Sequence, residues 1–267
     1  MMLSKAKPDD VDLYYEIHGA GKPLLLIAGL GSDSSSWGGV LAKFSTHFKV
    51  IVLDNRGAGR SAIPDESYTV AQMAKDVIRL LDALKIEKTH VLGHSMGGYI
   101  AQELSINHSG RIDRLVLEST ASVSSERNNA LFLKFYRALR DKENLEGWIR
   151  EWTRWLFSSE CLERKAFIEA FVKNGTNYPY AQQTDGFKGQ IGAIASFDSQ
   201  ERLGKINVPT LVIEGKEDVL ILPGEAEALA EGIPGSIFRC VKDAAHCMHI
   251  ENPDLFVRVV REFLISK

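Results

Sequence analysis

The sequence predicts an α/β protein, one mostly parallel sheet covered by helices on both faces. Three observations carry this prediction. Short continuous apolar runs, the pattern of strands buried on both faces, alternate with amphipathic helical stretches as far as Thr120. That rhythm stops there and resumes at Pro209. Midway through the first part, an apolar run passes directly into helical spacing through Gly93-His94-Ser95-Met96-Gly97.

The elements follow in order. Val11, Leu13, Tyr15 and Ile17 alternate as an early strand over 11–18, before the turn Gly19-Ala20-Gly21. Pro23–Ile27 is a buried strand running into Ala28-Gly29-Leu30-Gly31, a loop whose glycines let backbone N–H groups face a ligand. Phe48–Leu53 is the next strand, ending in the turn Asp54-Asn55-Arg56-Gly57-Ala58-Gly59-Arg60-Ser61. Thr69 opens a helix with Gln72 as its capping-box partner, and Val70, Met73, Val77, Leu80, Leu81 and Leu84 form the buried stripe. The strand Thr89–Leu92 precedes Ser95, and Ile100, Ala101, Leu104 and Ile106 mark the helix after it. Ile112–Leu117 is a further strand. After the interruption come a strand over 209–215, a helix from Pro223 and a strand over 236–241. The last helix is capped by Asn252, with Pro253 at its first position and Leu255, Phe256, Val259, Val260, Phe263 and Leu264 facing the core.

Between Ala121 and Lys205 the pattern is helical, with polar turns and no buried strand. This stretch holds 13 of the 23 aromatic residues, more than its share of the length, so it must bury them against something apolar. Trp148, Trp152 and Trp155 fall on one helical face. Such a face either packs an insertion onto the main core or lines an apolar substrate pocket, and different residues can do each.

Composition narrows the functional classes. With 45% hydrophobic residues, 25% charged residues and a net charge of -3, the chain has no electrostatic shape for nucleic acid or an anionic membrane. No apolar stretch is long enough to span a bilayer. The polar stretch from Met1 to Asp10 lacks the apolar core of a signal peptide. Cys161, Cys240 and Cys247 are odd in number and irregularly spaced, as reduced thiols of a cytoplasmic protein would be. A cytoplasmic monomer or homodimer without cofactor or metal is expected.

Ser95, Asp218 and His246 each follow a predicted strand. In a parallel sheet the strand C-termini share one edge, so residues far apart in sequence meet there. A serine hydroxyl is a weak nucleophile until a base takes its proton, and that base needs a third group to fix its tautomer. His246 can be the base and Asp218 the orienting acid. Glu217 competes for the acid position and His249 for the base, while His94 adjoins the serine and is read as packing. His246, His249 and Glu251 as a metal site lack a supporting ligand cluster. Gly29-x-Gly31 after a strand suggests a dinucleotide loop, but Ser34 stands where its third glycine belongs.

With the Ser…Asp…His order in place, the sequence resembles the α/β-hydrolase superfamily over essentially its whole length. The resemblance rests on the elbow around Ser95, the turn over 54–61, Gly215-Lys216-Glu217-Asp218, and His246 followed by Glu251-Asn252-Pro253. Within the superfamily it is similar to small serine carboxylesterases and to 3-oxoadipate enol-lactonase-like hydrolases. The resemblance implies a core of residues 1–120 and 206–267 with a helical lid of residues 121–205 inserted after the sixth strand. It places an oxyanion hole on the backbone N–H groups of Leu30 and Met96; Trp148, Trp152 and Trp155, on their shared helical face, are the candidate lining of the substrate pocket. The substrate would be a small, fairly apolar ester or lactone. The family's usual histidine before Gly29 is Ala28, which is expected to loosen the loop, and Ala245 replaces a frequent glycine. A serine at the elbow argues against dehalogenase and epoxide-hydrolase chemistry. It leaves cofactor-free haloperoxidase or perhydrolase, C–C bond hydrolase and slow-turnover receptor readings open.

Overall fold

Alternating side chains build the sheet. In the computed structural model, which describes residues 1–3, 10–141 and 144–266, eight strands form one sheet. These are β1 (Met2–Leu3), β2 (Leu13–His18), β3 (Lys22–Ile27), β4 (Phe48–Leu53), β5 (Thr89–His94), β6 (Ile112–Glu118), β7 (Thr210–Gly215) and β8 (Ile237–Val241). Their order is β1-β2-β4-β3-β5-β6-β7-β8. β1 and β2 are antiparallel, and β2 pairs antiparallel with β4; every other pairing is parallel. The two-residue strand β1 was not foreseen, being too short for a period to register. Most of the polar stretch read for targeting, residues 4–9, lies outside the described residues.

Leu25, Ile27, Ile51 and Leu53 face one apolar layer, while Leu24, Leu26, Val50 and Val52 face the other. The first layer is closed by α2 (Val70–Ala83) and α3 (Met96–Asn107), and the second by α1 (Gly38–Ser45). The predicted capping box holds: Thr69 N–H donates to Gln72 Oε1 at 2.9 Å, and Gln72 N–H to Thr69 Oγ1 at 3.3 Å.

Between β6 and β7 lie α4 (Glu126–Arg140), α5 (Leu145–Leu156), α6 (Ser159–Glu163), α7 (Lys165–Thr176) and α8 (Thr184–Ala195). The two ends of this helical segment are clamped together. Val123 and Asp198 form an antiparallel bridge, Ser199 N–H donates to Ser122 O at 2.9 Å, and Ser199 Oγ–H reaches Gln102 Oε1 at 2.7 Å. Beyond β7, α9 (Pro223–Gly232) joins the first layer, while α10 (Met248–Glu251) and α11 (Pro253–Ile265) join the second. Asn252 caps α11 through Leu255 N–H at 3.3 Å. Among the described residues no helix is long and apolar enough to cross a membrane.

One polar side chain sits badly in this core. His90 on β5 is buried with neither ring nitrogen hydrogen-bonded, and desolvation lowers its pKa. The unfolded chain protonates this ring below about pH 6.5, whereas the folded chain resists, so stability falls on acidification through that range. His90→Leu should raise the urea midpoint, and by more at about pH 5 than at about pH 8. An equal shift at both values would mean that the buried imidazole is not the source.

Candidate active site

The centre of the site is a turn made by close packing. β5 passes into α3 through Ser95, whose φ of 53° and ψ of -116° lie where non-glycine residues are rarely found. A β-carbon on Gly93 would strike the Gly97 carbonyl, and one on Gly97 would strike the Ile27 carbonyl on β3. With no side chains in the way, α3 starts hard against the sheet, and the residue at the corner must turn outward. Ser95 is held from both sides: its N–H donates to Glu118 O at 2.9 Å, and its carbonyl accepts Thr120 Oγ1–H at 2.9 Å. The partly exposed side chain stands at the positive end of the α3 dipole.

Asp218 and His246 arrive from the loops after β7 and β8. His246 Nδ1 lies 2.8 Å from Asp218 Oδ2, and Asp218 Oδ1 accepts the backbone N–H groups of Leu220 at 2.8 Å and Ile221 at 2.9 Å. Burial alone would raise the pKa of the Asp218 carboxyl, but the imidazole and these donors outweigh it and hold the group below the ordinary carboxylate range. His94, the residue before Ser95, donates Nε2–H to the His246 carbonyl at 3.0 Å. The imidazole loop is thereby tied to the elbow, and the two rings stand 4.9 Å apart. The Ser95 hydroxyl makes no hydrogen bond among the described residues. Catalytic contacts of this kind are commonly long without substrate and tighten around it.

The rival residues are occupied elsewhere. Glu217 Oε2 accepts the N–H and O–H of Ser159 at 2.8 and 2.6 Å, so its carboxylate faces the helical segment. His249 is buried against Trp37 with ring centroids 4.5 Å apart, and its Nδ1 lies 2.9 Å from Glu118 Oε1. Desolvation, with the nearby His246, pushes the His249 pKa down to about 3, and desolvation does the same for His94. Burial raises Glu118 to about 7. Glu251 bridges Ala245 N–H to the N–H and O–H of Ser158, which engages both of its oxygens away from any metal. Burial also raises the Cys247 thiol well above its usual range, leaving it a protonated neighbour of His94 at 3.9 Å.

The loop carrying Leu30 is anchored rather than loose, which corrects the expectation drawn from Ala28. Asn55 Nδ2–H donates to Ala28 O at 3.0 Å, and Gly31 N–H donates to Gln190 Oε1 at 3.1 Å. Gln190 in turn donates from Nε2 to Arg56 O at 3.0 Å, so α8 and the turn after β4 hold the loop jointly. A methyl group at Gly29 would come within 3.2 Å of Ser95 Cβ, so the loop and the serine are neighbours. Among the described residues neither Leu30 N–H nor Met96 N–H donates to a protein acceptor. For Met96 the reason is general, since the first N–H groups of a helix have no partner within it.

One aromatic ring meets this loop and is backed by others. Phe187 of α8 packs within 3.4 Å of the position a Gly31 β-carbon would take, and its ring meets Trp148 and Trp152 at 5.9 and 6.5 Å. Trp152 stacks on Phe135 at 3.9 Å, and Trp148 donates Nε1–H to Phe135 O at 2.9 Å. Trp155 stays outside this ring cluster and packs, half-buried, against the core. Sequence reasoning missed Asn55, Phe135, Phe187 and Gln190. The aromatic richness of residues 121–205 signalled that such rings exist, but nothing local said which ones would reach the loop.

Comparison with known proteins agrees with this architecture. Residues 22–253 match the model of the α/β-hydrolase fold family, and the chain belongs to that family. It is 32% identical over 260 residues to a proposed carbamate hydrolase, RutD, of Azorhizobium caulinodans, with 95% of each chain covered. The enol-lactonase of Burkholderia xenovorans superposes with a TM-score of 0.87 at 30% identity, covering 96% of this chain and 97% of that one. A thermophilic esterase of Thermogutta terrifontis gives a TM-score of 0.87 at 27% identity, covering 99% and 97%. The protein is a hydrolase.

Asp218→Asn and Glu217→Gln separate the two neighbouring acids. The first should lower kcat/KM on a p-nitrophenyl ester by up to about 10⁴-fold, because it disturbs the imidazole tautomer. The second should stay within about threefold of wild type, since its carboxylate faces Ser159. The reverse pattern would reassign the orienting acid.

Proposed function

We propose that this protein hydrolyses carboxylic esters or lactones of small, largely apolar acyl groups, through an acyl-enzyme on Ser95. The supporting observation is the 2.8 Å Asp218–His246 contact at the edge of the sheet where Ser95 turns outward beside two unengaged backbone N–H groups. In this reading Ser95 Oγ attacks the acyl carbon while His246 Nε2 takes its proton. Asp218 holds Nδ1–H and so fixes the tautomer that leaves Nε2 free to accept. Negative charge collects on the former carbonyl oxygen, and Leu30 and Met96 N–H donate to it. His246 then protonates the departing alkoxide. A water molecule deprotonated by the same imidazole releases the acid; with a lactone the alkoxide remains attached and the product is a hydroxy acid.

Phe187 beside the loop, with Trp148, Trp152 and Phe135 packed behind it, favours an apolar acyl part, and the helical segment over 121–205 serves as the lid that carries them. Trp152 Nε1–H has no acceptor, which suits an acyl chain bearing an oxygen. A carbamate offers the same kind of carbonyl, and the likeness to proposed carbamate hydrolases keeps it as a second reading. The aromatic surroundings favour the larger apolar group.

A fluorophosphonate probe should add once to wild type and not to Ser95→Ala, as read by intact-protein mass spectrometry, and the variant should lose ester turnover. Full turnover by Ser95→Ala would remove the acyl-enzyme. Trp152→Phe should change kcat/KM on simple alkanoyl esters by less than about threefold but lower it roughly 3- to 10-fold on oxo-acyl esters. Equal effects on both series would assign the indole to packing alone.

A further inference from the structure

A second carboxyl lies beside Asp218. Glu214, near the end of β7, is fully buried. Its Oε1 accepts Gly215 N–H at 3.0 Å and Ser119 Oγ–H at 3.4 Å. Its Oε2 is buried and meets no donor, and the Asp218 carboxyl is the neighbouring acid that bears on it. Two buried carboxyls in that relation cannot both be ionised, so one proton must lie between them.

The surroundings decide which of them holds it. Asp218 already accepts two backbone N–H groups and the imidazole, which favour its charged form. Glu214 has one backbone donor and one long hydroxyl contact. Burial and the Asp218 charge raise its pKa well above the ordinary range. The other titratable groups near the pair are Cys240 on β8, Glu118 on β6, Cys247 and His246.

We propose that Glu214 is a positioning residue of the hydrolytic site: a neutral carboxylic acid whose Oε2–H donates to the Asp218 carboxylate and holds it against His246. The inference rests on the Ser95–His246–Asp218 reading given above. Its chemical effect is to spread the Asp218 charge. A carboxylate that accepts this additional hydrogen bond attracts a neighbouring imidazolium less than one without it.

Glutamine at position 214 reproduces the neutral acid, with the amide oxygen accepting from Gly215 and Ser119 and the amide N–H donating to Asp218. Glu214→Gln should therefore keep kcat/KM within about threefold and leave the acid limb of its pH profile in place. Glu214→Leu removes the donor, so the acid limb should move up by about half a pH unit or more, with kcat reduced. Wild-type minus Glu214→Gln infrared difference spectra at neutral pH should contain the C=O stretch of a protonated carboxylic acid, a readout that needs no turnover. An acid limb moved downward in Glu214→Gln, or no such band, would mean an ionised Glu214 and overturn the proposal. An unmoved limb in Glu214→Leu, with only a lower denaturation midpoint, would reduce the residue to packing. If wild type takes no fluorophosphonate, the serine reading fails by itself, and the infrared band still reports where the proton is.

Discussion

The site depends on how closely α3 approaches β3. Between the start of the helix and the Ile27 carbonyl there is no room for a single methyl group, so Gly97 is a steric requirement rather than a preference. That contact places the corner residue, and the corner residue's conformation turns its side chain out of the sheet. Ser95 adopts an uncommon backbone geometry because the carbonyl of Glu118 and the hydroxyl of Thr120 hold it there. Strain of this kind persists only where neighbouring structure overdetermines it. Here β6 does so directly, which makes the strand next to the elbow part of the site.

Behind the elbow the interior is polar but carries little charge. His94 and His249 are held neutral by burial, Glu118 is raised into the neutral range, and Cys247 keeps its proton. Asp218 stands apart as the acid with enough donors to remain ionised. A buried charge held by such donors, among groups that decline theirs, has a strong and directed field, because the low local dielectric does not screen it. The neutral histidines act through hydrogen bonds, as His94 does by holding the carbonyl of His246.

What the sequence made legible was local. Buried runs, the capping box at Thr69, the Asn252–Pro253 helix start and the elbow all state their structure within a few residues. The strand-end positions of Ser95, Asp218 and His246 followed from topology, since parallel strands deliver their C-termini to one edge. The supports could not be read in the same way. Gln190 reaches Gly31 across 159 positions of sequence and Arg56 across 134, and a glutamine inside a helical pattern carries no mark of either partner. Glu214 reads as one polar residue at the end of a buried strand; only the folded chain sets it against a second acid. Ala28 misled for the complementary reason. A missing side chain was visible, while the Asn55 amide that anchors its carbonyl was not.

The clamp at Ser122, Val123, Asp198 and Ser199 gives the helical segment a narrow stem. Its two ends leave the core side by side, so the strands on either side, β6 and β7, pair as neighbours with the whole segment hanging outside their ladder. A segment attached in this way can vary in length without breaking the pairing of β6 with β7. Because loop-closure entropy grows only with the logarithm of length, lengthening, shortening or replacing it costs the sheet little. Such change is still not independent of the site, because the same segment carries Gln190, which holds the loop at Gly31.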